Sequence, residues 1–455
     1  MSHRFQGGWE TANVLVAKGR KLLAVAFARS RHLLQELTEA PSQSELCVYR
    51  RDKAILALVR LRERFGWGDW RCFLLIGLIL GGVQALAALG SGDFLSHRLW
   101  SDGFLRDINV FPPFGLVSAI YKAITDRPLG NETQGWYTPV PFLRDYSNLG
   151  ILLLSALHLT LITRQWPRIS SIFRHFLDTG SIVLPRRSFE DLVHKYDRAF
   201  NSWVGHILSA GGAFVLLFFV LRSFAAHGFY QGLAPSRASI IWQTQAYQQW
   251  WANPSNFLSF GAIFLSYWLV LYILFRHVFI GIIGTFALNE ITNKGRVQLV
   301  VNHPDGSGGF WMLREAINDV FFSVFLSAGF IFLGFLFLPS EGKTGVFAAC
   351  ITLFLIVNPI FIAFPIAVMH RELKKSRQEL LEGLHNQLDH LSGGGLTKGK
   401  VTNIDSAAFD SVLAIYHDAQ NLPTYPFSAR AVLVFVGGYL APLLFYLAAF
   451  VEYTK

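Results

Sequence analysis

The sequence predicts an all-α, polytopic membrane protein of about seven transmembrane helices, with its N-terminus in the cytosol and its C-terminus outside. Three observations lead there: scarce charge, long uncharged runs, and a lopsided distribution of basic residues. Hydrophobic residues make up 52% of the chain and charged residues only 15%, where a soluble domain carries about a quarter charged. A helix needs about 20 apolar residues to cross the hydrocarbon core. Six runs meet that length: 72–92, 199–221, 238–275, 320–340, 344–370 and 431–451. A seventh, 146–163, is shorter and just adequate.

The net charge of +10 would suit nucleic acid if it formed one patch, but it does not. Basic residues crowd the segment before Cys72 and the loops 164–198 and 371–430, whereas 226–256 holds only Arg237 and the short fifth loop only Lys343. That alternation follows the positive-inside rule. It excludes a nucleic-acid partner and puts the basic loops in the cytosol. The first outside loop fits less well, with Arg98, Arg106, Lys122, Arg127 and Arg144 along it. Cys47, Cys72 and Cys350 fall in the cytosolic segment or in spans, so no disulfide framework is expected.

Residues 1–71 form a cytosolic, basic, amphipathic region. In 11–39, Leu22, Leu23, Leu33 and Leu34 are set among Lys18, Arg20, Lys21 and Arg29, as in helices that lie on anionic inner-leaflet lipids. A second basic helix, 52–65, leads into the membrane domain, 72–451. In the first span Gly77, Gly81 and Ala85 stand four apart, and the third contains Ser209-Ala210-Gly211-Gly212-Ala213. Such faces let helix backbones approach, within one chain or in a homo-oligomer. The outside loop 91–145 is rich in Trp, Tyr, Phe and Pro, and 225–256 carries Trp242, Tyr247, Trp250 and Trp251 as interfacial anchors. The fourth run is too long for one crossing. Residues 257–275 suffice, Arg276-His277 should reach the inner headgroups, and 278–288 should continue along that surface. Asn358-Pro359 and Pro365 predict a kink in the sixth span. Beyond it, Leu373, Leu380, Leu384, Leu388 and Leu391 form an apolar stripe, Gly393-Gly394-Gly395 stops the helix, and 406–419 returns. Residues 371–429 are thus a cytosolic helical hairpin inserted between the last two spans.

Chemical capacity concentrates in 302–311, Asn-His-Pro-Asp-Gly-Ser-Gly-Gly-Phe-Trp. Pro304-Asp305-Gly306 is a turn signal, and Gly306, Gly308 and Gly309 can take positive φ. Consecutive backbone N–H groups feeding a helix make an anion site. Asp305, Gly306, Ser307, Gly308, Gly309 and Arg314 would then bind a phosphate or lipid headgroup, with His303 and Asp305 as catalytic candidates. The competing expectation is a tight turn in which Asp305 or Ser307 caps the following helix. His158, His206, His277 and His370 are expected to hydrogen-bond between helices or to mark boundaries. His385, Asp389 and His390 require no metal, and no motif calls for a cofactor.

His303-Pro304-Asp305 followed by Gly308-Gly309, with Pro426-Phe427-Ser428 before the last span, resembles an uncharacterised family of bacterial multi-pass inner-membrane proteins with a His-Pro-Asp-x-x-Gly-Gly loop. The likeness covers about the C-terminal third. It departs at Gly306, where the family carries a basic residue, and at Phe310-Trp311, where smaller residues are usual. The resemblance implies a bacterial inner membrane and no particular activity. The span middles carry no Asp, Glu, Lys or Arg, which disfavours ion-coupled transport. Two functions remain: a non-enzymatic channel or membrane sensor, or an enzyme acting on a lipid or phosphate-bearing substrate at the cytosolic face through 302–311.

The orientation makes a direct prediction. Phosphatase fused after Lys455 or Gly342 should be active, and fluorescent protein fused after Gly394 should fluoresce. An active phosphatase at Gly394 would overturn the topology.

Overall fold

In a computed structural model the described residues are 46–91, 141–227, 250–252, 257–337, 346–392 and 406–422, with scattered positions beyond them. Asn302, Pro304 and Gly306 fall outside this set, as do the amphipathic stretch 11–39, most of the first outside loop and most of 431–451.

The described chain is almost entirely helical. It runs α1 (Lys53–Phe65), α2 (Asp69–Ser91), α3 (Tyr146–Asp178), β1 (Ile182–Val183), α4 (Arg186–Phe200) and α5 (Trp203–His227). There follow α6 (Phe257–Lys294), β2 (Arg296–Val297), α7 (Trp311–Phe337), α8 (Val346–Leu391) and α9 (Ser406–Asn421). Five stretches are long and apolar enough to cross a membrane: Asp69–Ser91, Tyr146–Asp178, Arg186–Arg222, Leu258–Lys294 and Trp311–Leu333. Their outward faces carry Leu78, Leu86, Ile207, Leu208, Val215 and Leu265, all more than one-third exposed, as lipid-facing side chains are.

Helix α3 is the centre of the bundle: 61% of its apolar window is buried, against 33–39% in the other four. It packs against α1, α2, α6 and α7. Helix α5 lies along α6, where the small residues serve a contact within the chain. A Cβ at Gly205 would lie 2.3 Å from the Phe279 ring and one at Gly212 2.9 Å from Phe275. Trp268 Nε1 donates to the Ala210 carbonyl at 3.1 Å. Gly77 faces Ala156 of α3.

The apolar run 199–221 lies within the candidate stretch Arg186–Arg222, and inside it α4 ends at Phe200 and α5 starts at Trp203, with Asn201 donating to the carbonyls of Cys47 (2.8 Å) and Asp197 (2.9 Å). One expectation needs correction. The fourth run does not stop at Arg276-His277 but continues past them as one helix. Helix α6 is unbroken for 38 residues, about 57 Å, and its Arg276 is fully buried rather than at the headgroups. Arg276 Nη2 donates to Asp52 Oδ2 at 3.0 Å and to the Phe200 carbonyl at 3.1 Å. Tyr272 donates to the other Asp52 oxygen at 2.6 Å. With its charge compensated inside the protein, Arg276 has no reason to end the helix.

Helices α3, α6 and α8, of 33, 38 and 46 residues, all exceed the roughly 30 Å hydrocarbon core at 1.5 Å per residue. Their excess lengths meet in one layer with α1, α4, α9 and the β1–β2 ribbon. In that ribbon Ile182 pairs with Val297 and Val183 with Arg296, antiparallel. Residues 46–52 thread between α3 and α4, where Cys47 N donates to Asp197 (3.0 Å) and Val48 N to Ser170 (3.2 Å). Leu373, Leu384 and Leu388 of α8 are buried, and α9 packs back along the same helix.

The α5–α6 contact predicts a contrast between two substitutions in one helix. Gly205→Ala, which forces the Phe279 ring to move, should lower the melting temperature of the purified protein. Gly211→Ala, whose Cβ meets nothing within 4 Å, should leave it unchanged or raise it. Equal responses would remove the close-approach explanation.

Candidate functional site

The glycine-rich turn connects β2 to α7 and lies in the layer where the long helices end. Asp305 organises it. Its Oδ1 accepts from the N–H groups of Ser307 (2.8 Å) and Gly309 (3.2 Å), and its Oδ2 from that of Trp311, the first residue of α7 (3.2 Å). His303 Nδ1 lies 2.8 Å from Asp305 Oδ1. Partial burial works against the charged carboxylate. The donors of Ser307, Gly309, His303 and Trp311 outweigh it and hold the Asp305 pKa below the usual carboxylate value. Asp305 is therefore the cap of α7. Main-chain groups that would hold an external anion already bond to a carboxylate of the same chain.

The glycines are fixed by geometry. Gly308 and Gly309 have φ of 63° and 91°, where a β-branched residue is strained. Added Cβ atoms would fall 2.8 Å from Leu299 Cδ2 and 1.8 Å from Ser181 Oγ. Arg314 Nη1 reaches Ser307 Oγ at 3.5 Å, so it stays beside the turn. Gly306 lies outside the described residues. The turn's own contacts are mechanical: Val300 N donates to the Gly308 carbonyl (3.3 Å), Leu299 N to Ser376 Oγ of α8 (3.1 Å) and Gln298 N to the Ser181 carbonyl (2.8 Å). Phe310 packs on Phe176 of α3 with ring centroids 5.3 Å apart. One turn thus ties α3, α7 and α8 together.

A second grouping is ionic. Asp319 of α7, almost fully buried, accepts from Arg164 and, at 2.6 Å, from Arg168 of α3. Arg164 also bonds Asp69 of α2 (2.9 Å), which bonds Arg62 of α1 (2.6 Å). Glu315 completes the set at 3.4 Å from Arg168. Three cations and three anions from four helices balance here. Asp319 was hidden from sequence reasoning because it immediately precedes an apolar run and reads as a boundary residue.

The third grouping lies inside the bundle. Helix α3 carries Asn148, Ser155, His158 and Gln165, spaced 7, 3 and 7 residues apart and all buried. That spacing keeps them on one side of a helix. Asn148 donates to Gln84 of α2 (2.9 Å) and accepts from Tyr267 of α6. His158 Nε2 is 2.8 Å from Ser323 Oγ of α7. Trp166 Nε1 donates to His277 Nδ1 at 3.1 Å, and the His158 and His277 rings lie 6.3 Å apart. His206 Nδ1 meets the Tyr272 hydroxyl at 2.7 Å, and His370 Nδ1 the Thr424 carbonyl at 3.1 Å. The stripe on α3 was legible as helical periodicity of polar residues, although its partners were not. Among the described residues no three His, Cys, Asp or Glu side chains gather as metal ligands would.

No family model, no curated protein and no solved structure matches the chain.

The turn's geometry predicts a mutational pattern. Gly309→Val should abolish folded yield and Gly308→Val reduce it. Asp305→Ala should lower stability by about 1–2 kcal/mol, as loss of a helix cap does, and His303→Ala should be nearly silent. Folded His303→Ala and Asp305→Asn proteins that bind phosphate or headgroup more weakly than wild type would instead support an anion site.

Proposed function

We propose that the chain is a non-enzymatic membrane sensor of the bacterial inner membrane, with seven spans, a cytosolic N-terminus and an outside C-terminus. This reading includes membership of the family with the His-Pro-Asp-x-x-Gly-Gly loop. Contact of the N-terminal basic helix with anionic inner-leaflet lipids, and a homo-oligomer, belong to the same reading. The observation that carries it is the continuity of α3, α6 and α8 from the apolar bundle into the inner layer. There the turn and the β1–β2 ribbon touch all three, and the balanced Asp319 network ties α3 to α7. A tilt or shift of one helix, imposed by bilayer thickness or by a ligand, must move the others.

What weighs against the enzyme alternative is that Asp305 is committed to four donors and His303 to Asp305. Asp305 is thus occupied as a cap of the turn rather than presented to a lipid or phosphate-bearing substrate. A channel is the second reading, and the polar stripe on α3 favours it. Stripe and bundle together would need a water-filled path, which an ion-flux assay detects.

The test combines two measurements on the purified chain in liposomes. Spin labels at the exposed positions Arg187 and Lys375 should change separation by about 2 Å or more between thin and thick bilayers, the scale of interface helix shifts. Ion flux should stay at the level of empty liposomes. An invariant distance with measurable flux would replace the sensor by the channel. Phosphate release or lipid conversion lost in both His303→Ala and Asp305→Asn would establish the enzyme.

A further inference from the structure

Among the described residues three aspartates are buried: Asp52, Asp145 and Asp319. Asp52 meets Arg276, and Asp319 meets Arg164 and Arg168. Asp145, the residue before α3, is 1% exposed and forms an ion pair with no described residue. An uncompensated charge in a low-dielectric interior is costly, and a carboxyl so placed neutralises itself by holding a proton.

Local structure fixes what surrounds this group. Asp145 caps α3: its Oδ1 accepts from the Asn148 N–H at 3.0 Å and from the Ser147 hydroxyl at 2.7 Å. Its Oδ2 has no hydrogen-bond partner. Asn148 ties the same helix start to Gln84 of α2 and Tyr267 of α6. The 250–252 turn lies against it through Trp250, which is fully buried and edge-on to Phe142 with ring centroids 5.2 Å apart. The facing groups are few. Tyr267 is the titratable one, α2 supplies the neutral Gln84, and Arg144 of the adjoining 142–144 turn is exposed. The Trp250 indole N–H favours the charged form from a position short of a formed bond, and neither it nor Gln84 Nε2 has a partner. Burial outweighs the donors of Asn148, Ser147 and Trp250 and pushes the Asp145 pKa up to about 6.

We propose that Asp145 is a proton-binding site, where a proton on Oδ2 neutralises the carboxylate at the start of α3 and loosens the 250–252 turn. A proton is the ligand that fits, because the group is covered on all sides and a proton needs no cavity. Ionised, Oδ2 attracts the Trp250 N–H and holds the turn against α3. Protonated, Oδ2 becomes a donor, and a donor facing the donor-only indole lets the turn go. The bonds from Ser147 and Asn148 go to the other oxygen and persist. The site goes beyond the sensor reading and does not rest on it: a proton that binds without changing the Arg187–Lys375 distance leaves the site standing.

The test is an infrared titration of the full chain in liposomes, taken as wild type minus Asp145→Asn. Asparagine keeps the cap, so the variant should fold. The difference should contain the carbonyl stretch of a protonated carboxylic acid, lost on raising the pH with a midpoint of about 6. Trp250→Phe removes the N–H that favours the charged form and should move that midpoint upward, a comparison with the wild type that needs no Asp145 variant. Thermal unfolding gives the sign independently. The folded chain holds this proton more tightly than the unfolded one. Its contribution is complete below about 4, an ordinary aspartate's pKa, and is lost as the pH rises through about 6. The wild type should therefore lose melting temperature relative to Asp145→Asn over that window. A difference spectrum with no acid band, or a gap in melting temperature that does not change with pH, would overturn the proton site. A midpoint unmoved by Trp250→Phe would overturn its link to the 250–252 turn.

Discussion

A cation inside the protein has to be compensated, and the fold at the end of the bundle where the long helices meet follows from how Arg276 is. Its partner Asp52 belongs to the segment before the first span, so this single pair pulls residues 46–65 into the bundle. The pair is nearly inaccessible on both sides. Tyr272 and the Phe200 carbonyl share it, and His206 stands behind Tyr272. Breaking a buried pair by removing one partner costs about 3–5 kcal/mol. Once Asp52 is placed, Cys47 and Val48 fall against α4 and α3, and α1 comes to rest on α3. The unbroken course of α6 has the same origin.

The Asp319 network and the Asp305 cap repeat that logic on the other side of α3. In each case a carboxylate neutralises or satisfies groups that the long helices bring together at one end of the bundle. Asp319 takes two arginines from α3, and Asp305 takes three main-chain N–H groups at the start of α7. The inner layer is therefore assembled from polar contacts with defined geometry, whereas the bundle beneath it is assembled from shape. Small residues let α5 approach α6, and among the described residues the helices leave a gap lined by Ile169, Gly281, Gly284 and Val320.

Helices were legible from hydropathy and length, because those signals are local. The turn was legible too: Asp305, Ser307, Gly309 and Trp311 lie within seven positions, so capping could be inferred from spacing alone. Long-range compensation was not legible. Arg276 looked like a membrane boundary because the residue that neutralises it is 224 positions away, and Asp319 looked like the edge of an apolar run for the same reason. Polar periodicity on α3 was present in the sequence, yet a lone His158 or Gln165 in a span carries no sign of which helix it meets. The gap left no trace at all, since its lining residues are ordinary span residues.

The central claim is that the buried Asp52–Arg276 pair holds the inner layer to the membrane bundle. A double-mutant cycle measures it most directly, with thermal unfolding of Asp52→Asn, Arg276→Gln and the combination in one detergent. Each single change leaves a buried charge without its partner, and the combination leaves none. The account predicts that both single variants melt well below the wild type and that the double variant recovers much of the loss. The coupling energy should be on the order of 3 kcal/mol. Additive losses, with the double variant the least stable of the three, would contradict it.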